Sequence, residues 1–178
     1  MAVRSNVPAS AEVRRAVSWV VIAAVVETAL TVAHFLYGAH IYDDPSRDHV
    51  VVPAFVSLGL VAAPGMLFVW RPSALTLWPF VAVVALPFVG MFGLYHGGFG
   101  HVCKLALFAT GTTPERLEEI FNSPDFAVPN DALFEATGVS TLLVGLLVAY
   151  LLVRLLRIAK RAHDLRASRT STSTAHGA

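Results

Sequence analysis

Four long apolar stretches constrain the fold of this chain more than any other feature. They lie at about 16–40, 50–70, 74–95 and 134–153. A helix of about 20 mostly apolar residues is long enough to cross the roughly 30 Å hydrocarbon core of a bilayer. The sequence therefore predicts an all-α integral membrane protein built as a bundle of four transmembrane helices.

Composition excludes the main alternatives to a membrane domain. Of the 178 residues, 56% are hydrophobic and 14% are charged, whereas a soluble domain carries about 25% charged residues. A soluble domain near this size still exposes roughly 30% of the surface of its unfolded chain, which this composition could not cover with polar groups. Disorder does not fit so apolar a chain, and a disulfide scaffold does not fit because Cys103 is the only cysteine.

The distribution of Lys and Arg predicts the orientation of the bundle. Ten of the 13 lie at one side, and the other three are Arg47, Lys104 and Arg116. Because short cytoplasmic flanks carry the excess of positive charge, both termini are predicted to be cytoplasmic. The ten are Arg4, Arg14, Arg15, Arg71, Arg154, Arg157, Lys160, Arg161, Arg166 and Arg169.

We therefore expect one four-span domain, residues 1–162, followed by a disordered cytoplasmic tail at 163–178. Residue usage suggests a bacterial source, and the location would then be the cell (inner) membrane. The basic run after the fourth span predicts contact with anionic lipid head groups of the bilayer. No nucleic-acid partner is expected, because no reading module accompanies these charges.

The predicted outer loop, residues 96–133, carries signals for short helices. A structureless loop of this length is uncommon. Gly97, Gly98 and Gly100 predict a flexible exit from the third span. An apolar run at 101–110 then predicts a first short helix, which Gly111 would end.

A second short helix is predicted directly afterwards. Thr113 is suited to be its N-cap and Pro114 its first residue, with the helix continuing to Phe121. Asn130 or Asp131 would cap the fourth span. Such a loop could be a lid over the outer end of the bundle, a solvated connector, or a docking surface for a partner.

A polar stripe runs along the first span from its middle toward its outer end. Glu27, Thr31 and His34 share one face of the helix, and Gly38 extends that face. The axial distance from Glu27 to His34 is about 10 Å. Because ionisable groups in lipid normally face a protein interior or a wet cavity, we expect this stripe to point inward.

Histidines gather at the same outer end of the bundle. Five of the seven lie at or just under the predicted outer boundary: His34, His40, His49, His96 and His101. Glu135 joins them in the first turn of the fourth span. Because three of the four residues between His96 and His101 are glycines, both imidazoles could turn onto one ion. His40 and His49 are better explained as interfacial loop residues than as ligands.

Small residues predict a close helix contact on the fourth span. Thr141, Gly145 and Ala149 recur at a spacing of four. Such a face lets a neighbouring transmembrane helix approach closely.

The first functional hypothesis is a membrane enzyme that acts on a small lipophilic substrate by acid–base chemistry. A carboxyl group and imidazoles in a protein interior can transfer protons at neutral pH, which suits isomerisation, cyclisation or hydrolysis. Covalent acyl chemistry has no support, because no G-x-S-x-G motif is present. The proposed catalytic residues are Glu27, His34 and His96, with Thr31, His101 and Glu135 around the substrate.

The second hypothesis is a metal or haem site built from the same cluster. Imidazole and carboxylate ligands suit Zn, Cu, Fe or Mn, and an axial pair such as His34 and His96 could hold haem. No H-E-x-x-H, C-x-x-C-H or E-x-x-H motif is present, so this hypothesis depends on clustering alone. The candidate ligands are His34, His96, His101, Glu27 and Glu135.

The third hypothesis is a non-catalytic accessory subunit. Small four-helix membrane proteins can act with a membrane-protein partner or as homo-oligomers, here through the outer loop. In that case Glu27 would be a hydrogen-bonded link between helices rather than an active group.

Overall fold

A computed structural model of the chain describes residues 11–121 and 126–175, with only the backbone described at 163 and 165–175. The described residues are mostly helical and contain no strand, so the predicted all-α fold is confirmed for them. The long helices are α1 (Ala11–Ile41), α2 (Val51–Trp70), α3 (Ala74–Ala109) and α5 (Ala132–Ala175). Helix α4 (Pro114–Phe121) is short, and a short 3-10 helix, Pro45–Val50, precedes α2.

Four helical segments are long and apolar enough to cross a membrane: α1, the 3-10 helix with α2, α3, and α5 as far as Ala162. Large apolar side chains cover the outside of the bundle; Leu75 is 87% and Leu86 72% exposed. Glu27 and His34, in contrast, are completely buried. Apolar residues outside and ionisable residues inside reverse the pattern of a soluble domain and are typical of helices packed in lipid.

A tight turn after Trp70 makes α2 and α3 antiparallel neighbours. Ser73 caps α3 through a reciprocal pair of hydrogen bonds, in which Thr76 N donates to Ser73 Oγ (3.3 Å) and Ser73 N donates to Thr76 Oγ1 (3.1 Å). This capping box satisfies two backbone donors that the helix leaves free. Helix α3 therefore begins at residue 74, where the third apolar stretch begins.

Helix α3 continues well beyond the predicted end of the third span at residue 95. Its first part, Ala74–Val84, is α-helical, its middle part, Ala85–Cys103, is wound as a π-helix, and its last part, Lys104–Ala109, is α-helical again. The glycines at 97, 98 and 100 lie inside this helix rather than in the predicted flexible exit. Packing explains the difference at Gly97, where the missing side chain lets α5 approach closely.

The contact between α3 and α5 depends on glycine in both helices. A Cβ at Gly97 would collide with Leu142 N and Thr141 Oγ1, and a Cβ at Gly93 would lie 3.0 Å from Gly145 Cα. Thr141 is fully buried. The close contact predicted for the small residues of the fourth span is thus confirmed at Thr141 and Gly145.

The described part of the connection from α3 to α5 contains one of the two predicted short helices, because residues 101–109, where the first was expected, are the end of α3. Gly111 adopts a φ of 89° and ends α3, with Gly111 N donating to Phe108 O (3.0 Å) and Thr112 N to Leu107 O (3.1 Å). This left-handed glycine satisfies the last carbonyls of the helix. The short helix at Pro114–Phe121 has the predicted bounds.

Helix α5 is capped as predicted, but it is longer than expected. Phe134 N donates to Asp131 Oδ1 (2.7 Å), so Asp131 is the capping residue. The helical backbone continues to Ala175, through most of the segment predicted to be a disordered tail. No glycine or proline interrupts the sequence between Gly145 and Gly177, which explains why the helix can continue. Residues 1–10 and 176–178 lie outside the described residues.

Buried residues divide the bundle into two halves. The half nearer the termini has an apolar core that includes Val20, Val61, Phe80, Phe88 and Leu155. The other half buries polar side chains, which gather where α1, α3 and α5 meet. The core therefore holds the helices together at one end, and the candidate site lies at the other.

Candidate metal centre

Three histidines from two helices meet in the polar half of the bundle. His34 comes from α1, and His96 and His101 come from the π-helical part of α3. One ring nitrogen from each lies within 4.8 Å of the other two, and this is the one such group of metal-binding side chains found in the described part of the chain. The ring centroids are 4.8–4.9 Å apart. We call His34, His96 and His101 the histidine cluster.

The π-helical winding of α3 explains how His96 and His101 face the same point. In an α-helix, residues five apart lie on different faces, about 140° from each other. A π-helix hydrogen-bonds each residue to the fifth one along, which brings residues five apart into register. From the sequence we expected that His96 and His101 could turn onto one ion, but we explained this by a flexible glycine turn.

Hydrogen bonds hold His34 in one orientation. Its Nδ1 lies 2.9 Å from Thr137 Oγ1, and the Thr137 hydroxyl itself donates to the carbonyls of Leu133 and Phe134 (2.9 Å each). When the hydroxyl hydrogen is used in this way, His34 donates to Thr137 Oγ1 through Nδ1–H. His34 Nε2 is left with a free lone pair, and it has no hydrogen-bond partner among the described residues.

A carboxylate orients His101. His101 Nδ1 lies 2.7 Å from Glu135 Oε2, and Lys104 Nζ lies 2.9 Å from Glu135 Oε1. Lys104 also donates to Ala127 O (3.2 Å). Since a carboxylate paired with a lysine only accepts, His101 donates through Nδ1 and offers Nε2 to a ligand. This carboxylate–imidazole arrangement is the usual support of a metal-binding histidine.

Gly138 of α5 makes room for the imidazole of His101. A Cβ at Gly138 of α5 would collide with the ring of His101. Phe134 stacks on His34 with a centroid distance of 4.2 Å. His96 Nε2 is buried and has no hydrogen-bond partner in the described residues. Helix α5 thus shapes the site with Phe134, Glu135, Thr137 and Gly138 from two successive turns.

The cluster is one wall of a cavity of about 320 Å³. All three histidines line it, together with aromatic side chains such as Phe92 and Phe134. Thr31 and Glu135, which the sequence analysis placed around a substrate, are not among its lining residues. Glu135 instead stands behind His101 as its hydrogen-bond acceptor.

Glu27 and Thr31 are buried, as the inward stripe predicted, but they lie apart from the cavity. Both are fully buried, and neither the Glu27 carboxyl oxygens nor Thr31 Oγ1 has a hydrogen-bond partner in the described residues. Glu27 is about 10 Å along the helix axis from His34. The structure therefore brings together His34, His96, His101 and Glu135 and leaves Glu27 two turns away.

Two site residues were missed by the sequence analysis, which used them only to count charges. Lys104 is 4% and Arg47 3% exposed, and both line the cavity. The Arg47 guanidinium lies 4.9 Å from the centre of the Tyr42 ring. Burial raises the pKa of the Tyr42 phenol, and the carboxylates of Glu135 and Asp131 add to this effect. Lys104 could have been noticed as a lone charge in an apolar run.

The geometry does not favour haem between His34 and His96. Their rings are in direct edge-to-face contact, with centroids 4.9 Å apart. A porphyrin between them would need room for another aromatic layer. A single ion needs only the nitrogen atoms to converge.

No family model, no curated protein and no solved structure compared with this chain matches it. The geometry of the site is therefore the basis for assigning a function.

Proposed function

We propose that this chain is a multi-pass membrane protein whose histidine cluster binds one divalent transition-metal ion, with Zn²⁺ as the first candidate. The observation that carries this proposal is the convergence of three buried imidazoles with ring nitrogens within 4.8 Å. Nitrogen ligands of tetrahedral zinc, at about 2.0–2.1 Å from the ion, are about 3.3 Å apart. Small side-chain rotations would close the difference.

The surroundings of the cluster support a metal more than a purely structural contact. Buried imidazoles packed only for stability should use both ring nitrogens, yet His34 Nε2 and His96 Nε2 have no partner in the described residues. Nδ1 of His34 and of His101 is already held by Thr137 and Glu135. Such outer hydrogen bonds orient histidines toward a metal and increase their basicity.

Three protein ligands beside a cavity would leave one coordination position open. Catalytic zinc sites have this arrangement, whereas structural ones are closed by a fourth protein ligand. A bound ion would act there as a Lewis acid toward an oxygen atom of a ligand in the cavity. We therefore favour a catalytic over a structural metal site.

Acid–base catalysis on a small lipophilic substrate, without a metal, is the second candidate. The apolar cavity with His34, His96 and His101 in its wall favours it. In this case the imidazoles would exchange protons with the substrate directly. Glu27 would take part only through intervening groups, since it does not line the cavity.

The distribution of basic residues supports placement in the cell (inner) membrane with both termini in the cytoplasm. Ten of the 13 Lys and Arg residues lie at the side of the termini. The histidine cluster would then be at the outer end of the bundle.

Metal binding by purified protein in detergent micelles tests the proposal. We expect one Zn²⁺ per chain by elemental analysis, and a visible absorption band when Co²⁺ replaces it. His34→Ala and His96→Ala should each abolish tight binding, while His40→Ala, an exposed histidine on the same helix as His34, should not. At a free metal concentration of about 100 Kd, the ion should stabilise the fold by about 2.7 kcal/mol.

A folded protein that binds neither Zn²⁺, Co²⁺ nor Cu²⁺ would refute the metal centre. That result would leave acid–base catalysis as the remaining candidate. Equal metal binding by the His34→Ala and His40→Ala proteins would show that the ion is bound elsewhere.

A further inference from the structure

The polar side chains that line the cavity are nearly all basic. They are His34, Arg47, His49, His96, His101 and Lys104, joined by the phenol of Tyr95, and no carboxylate lines the cavity among the described residues. The remaining wall is apolar and aromatic. The cavity therefore offers hydrogen-bond donors and positive charge inside an apolar enclosure.

The carboxylates that pair with the two permanent cations lie behind them, outside the cavity lining. Arg47 Nε is 3.3 Å from Asp44 Oδ2, and Lys104 Nζ is 2.9 Å from Glu135 Oε1. Neither acidic residue lines the cavity. A ligand in the cavity would thus be closer to the positive member of each pair, which favours an anionic or acceptor-rich head group.

An opening of the cavity between α2 and the π-helical part of α3 follows from the exposure of residues that line it. Pro53 of α2 and Met91, Tyr95 and Phe99 of α3 line it and are also exposed on the outer surface. Helix α2 packs against the first part of α3, whereas the π-helical part packs mainly against α5. In a membrane, this opening would face acyl chains.

We propose that the cavity binds the head group of a single-chain anionic amphiphile, such as a long-chain carboxylate, which enters sideways from the lipid between α2 and α3. Its volume of about 320 Å³ is near the lower end of the roughly 300–1,000 Å³ of small-molecule sites. A cavity of this size accommodates a head group and the first part of one acyl chain, with the rest of the acyl chain in the lipid. The inference rests on the proposed membrane location, but not on the metal.

Binding of radiolabelled palmitate to the protein in nanodiscs of zwitterionic phospholipid tests the head group. Hexadecanol, which has the same chain without a charge, is the matched ligand. Arg47→Gln should weaken palmitate binding by about tenfold or more, because a charge-assisted hydrogen bond is lost, and should leave hexadecanol unchanged. Arg71→Gln, an exposed arginine near the other end of α2, is the control.

A second variant, Met91→Trp, tests the route by which the amphiphile enters from the lipid, and it does not change a buried residue. Met91→Trp should obstruct the opening and reduce palmitate binding, while Leu94→Trp, at an exposed position on the same helix that does not line the cavity, should not. Displacement of palmitate by lysophosphatidic acid would also support an anion site. Displacement by lysophosphatidylcholine at the same concentration would overturn it.

The inference is wrong if palmitate and hexadecanol bind equally, or if neither Arg47→Gln nor Met91→Trp weakens binding. Measuring each protein after chelator treatment and again with zinc separates this result from the metal proposal. Palmitate binding that depends on Arg47 without any bound metal would support the amphiphile site and leave the metal centre to its own test.

Discussion

Replacing Glu135 with glutamine separates two roles that its carboxylate combines. One oxygen accepts from His101 at 2.7 Å and the other pairs with Lys104 at 2.9 Å, in a region where both partners are less than a tenth exposed. The amide of Glu135→Gln can still accept from His101, but it carries no charge. The variant therefore keeps the shape of the site and removes the negative charge between His101 and Lys104.

Two effects of different size are expected. Mutation of the acceptor behind a metal-binding histidine typically weakens metal affinity by about 10–100-fold, or about 1.4–2.7 kcal/mol, and here the property removed is the negative charge. Leaving Lys104 buried and without its carboxylate should lower the free energy of unfolding by about 3–5 kcal/mol. The stability loss should therefore exceed the loss in metal-binding energy.

The double variant Glu135→Gln/Lys104→Met distinguishes the two effects. Without a buried unpaired charge it should regain most of the stability, while its metal affinity should stay low. Thermal or denaturant unfolding of the metal-free protein in detergent gives the first quantity, and competition of Zn²⁺ with a chromogenic chelator gives the second. A double variant no more stable than Glu135→Gln would show that the unpaired Lys104 is not the cause of the stability loss. Wild-type metal affinity in Glu135→Gln would show that the negative charge behind His101 does not support metal binding.

Three further changes probe the same region. Gly138→Ala should place a Cβ against His101 and lower both stability and metal affinity. The control is Gly59→Ala, where a Cβ meets nothing within 4 Å. In unfolding experiments the control should be neutral or stabilising by up to about 1 kcal/mol. Thr137→Val removes the hydroxyl group that binds His34 Nδ1. It should weaken Zn²⁺ binding by about 10–100-fold in the same competition assay. Glu27→Gln should leave Zn²⁺ affinity within about twofold, since the residue lies about 10 Å from the cluster along α1; a larger decrease would place Glu27 in the metal site.

Much of the local structure could be predicted because its signals are local. Apolar length predicted four candidate spans, and Thr113-Pro114 and Gly111 predicted where helices begin and end. The inward orientation of Glu27, Thr31 and His34 followed from the cost of exposing polar groups to lipid. Each of these inferences needs only neighbouring residues and the properties of the solvent.

The path of α3 could not be predicted in this way. Glycines at 97, 98 and 100 usually indicate an exit from a helix, and here they are helical, with α5 packed against Gly97 and Gly98. The role of Arg47 was also hidden. It looked like a loop charge, and only the structure shows that it is buried beside the cavity.

The sequence by itself determined that the chain forms apolar helices with histidines concentrated at one end, because hydrophobic length and residue spacing are properties of each segment alone. Only the tertiary structure decided that His34 meets His96 and His101, and that Glu135 rather than Glu27 supports them. The physical reason is that the convergence depends on the π-helical winding of α3 and on the close contact between α3 and α5. Neither is encoded in the periodicity of one helix, since both arise from how two helices pack.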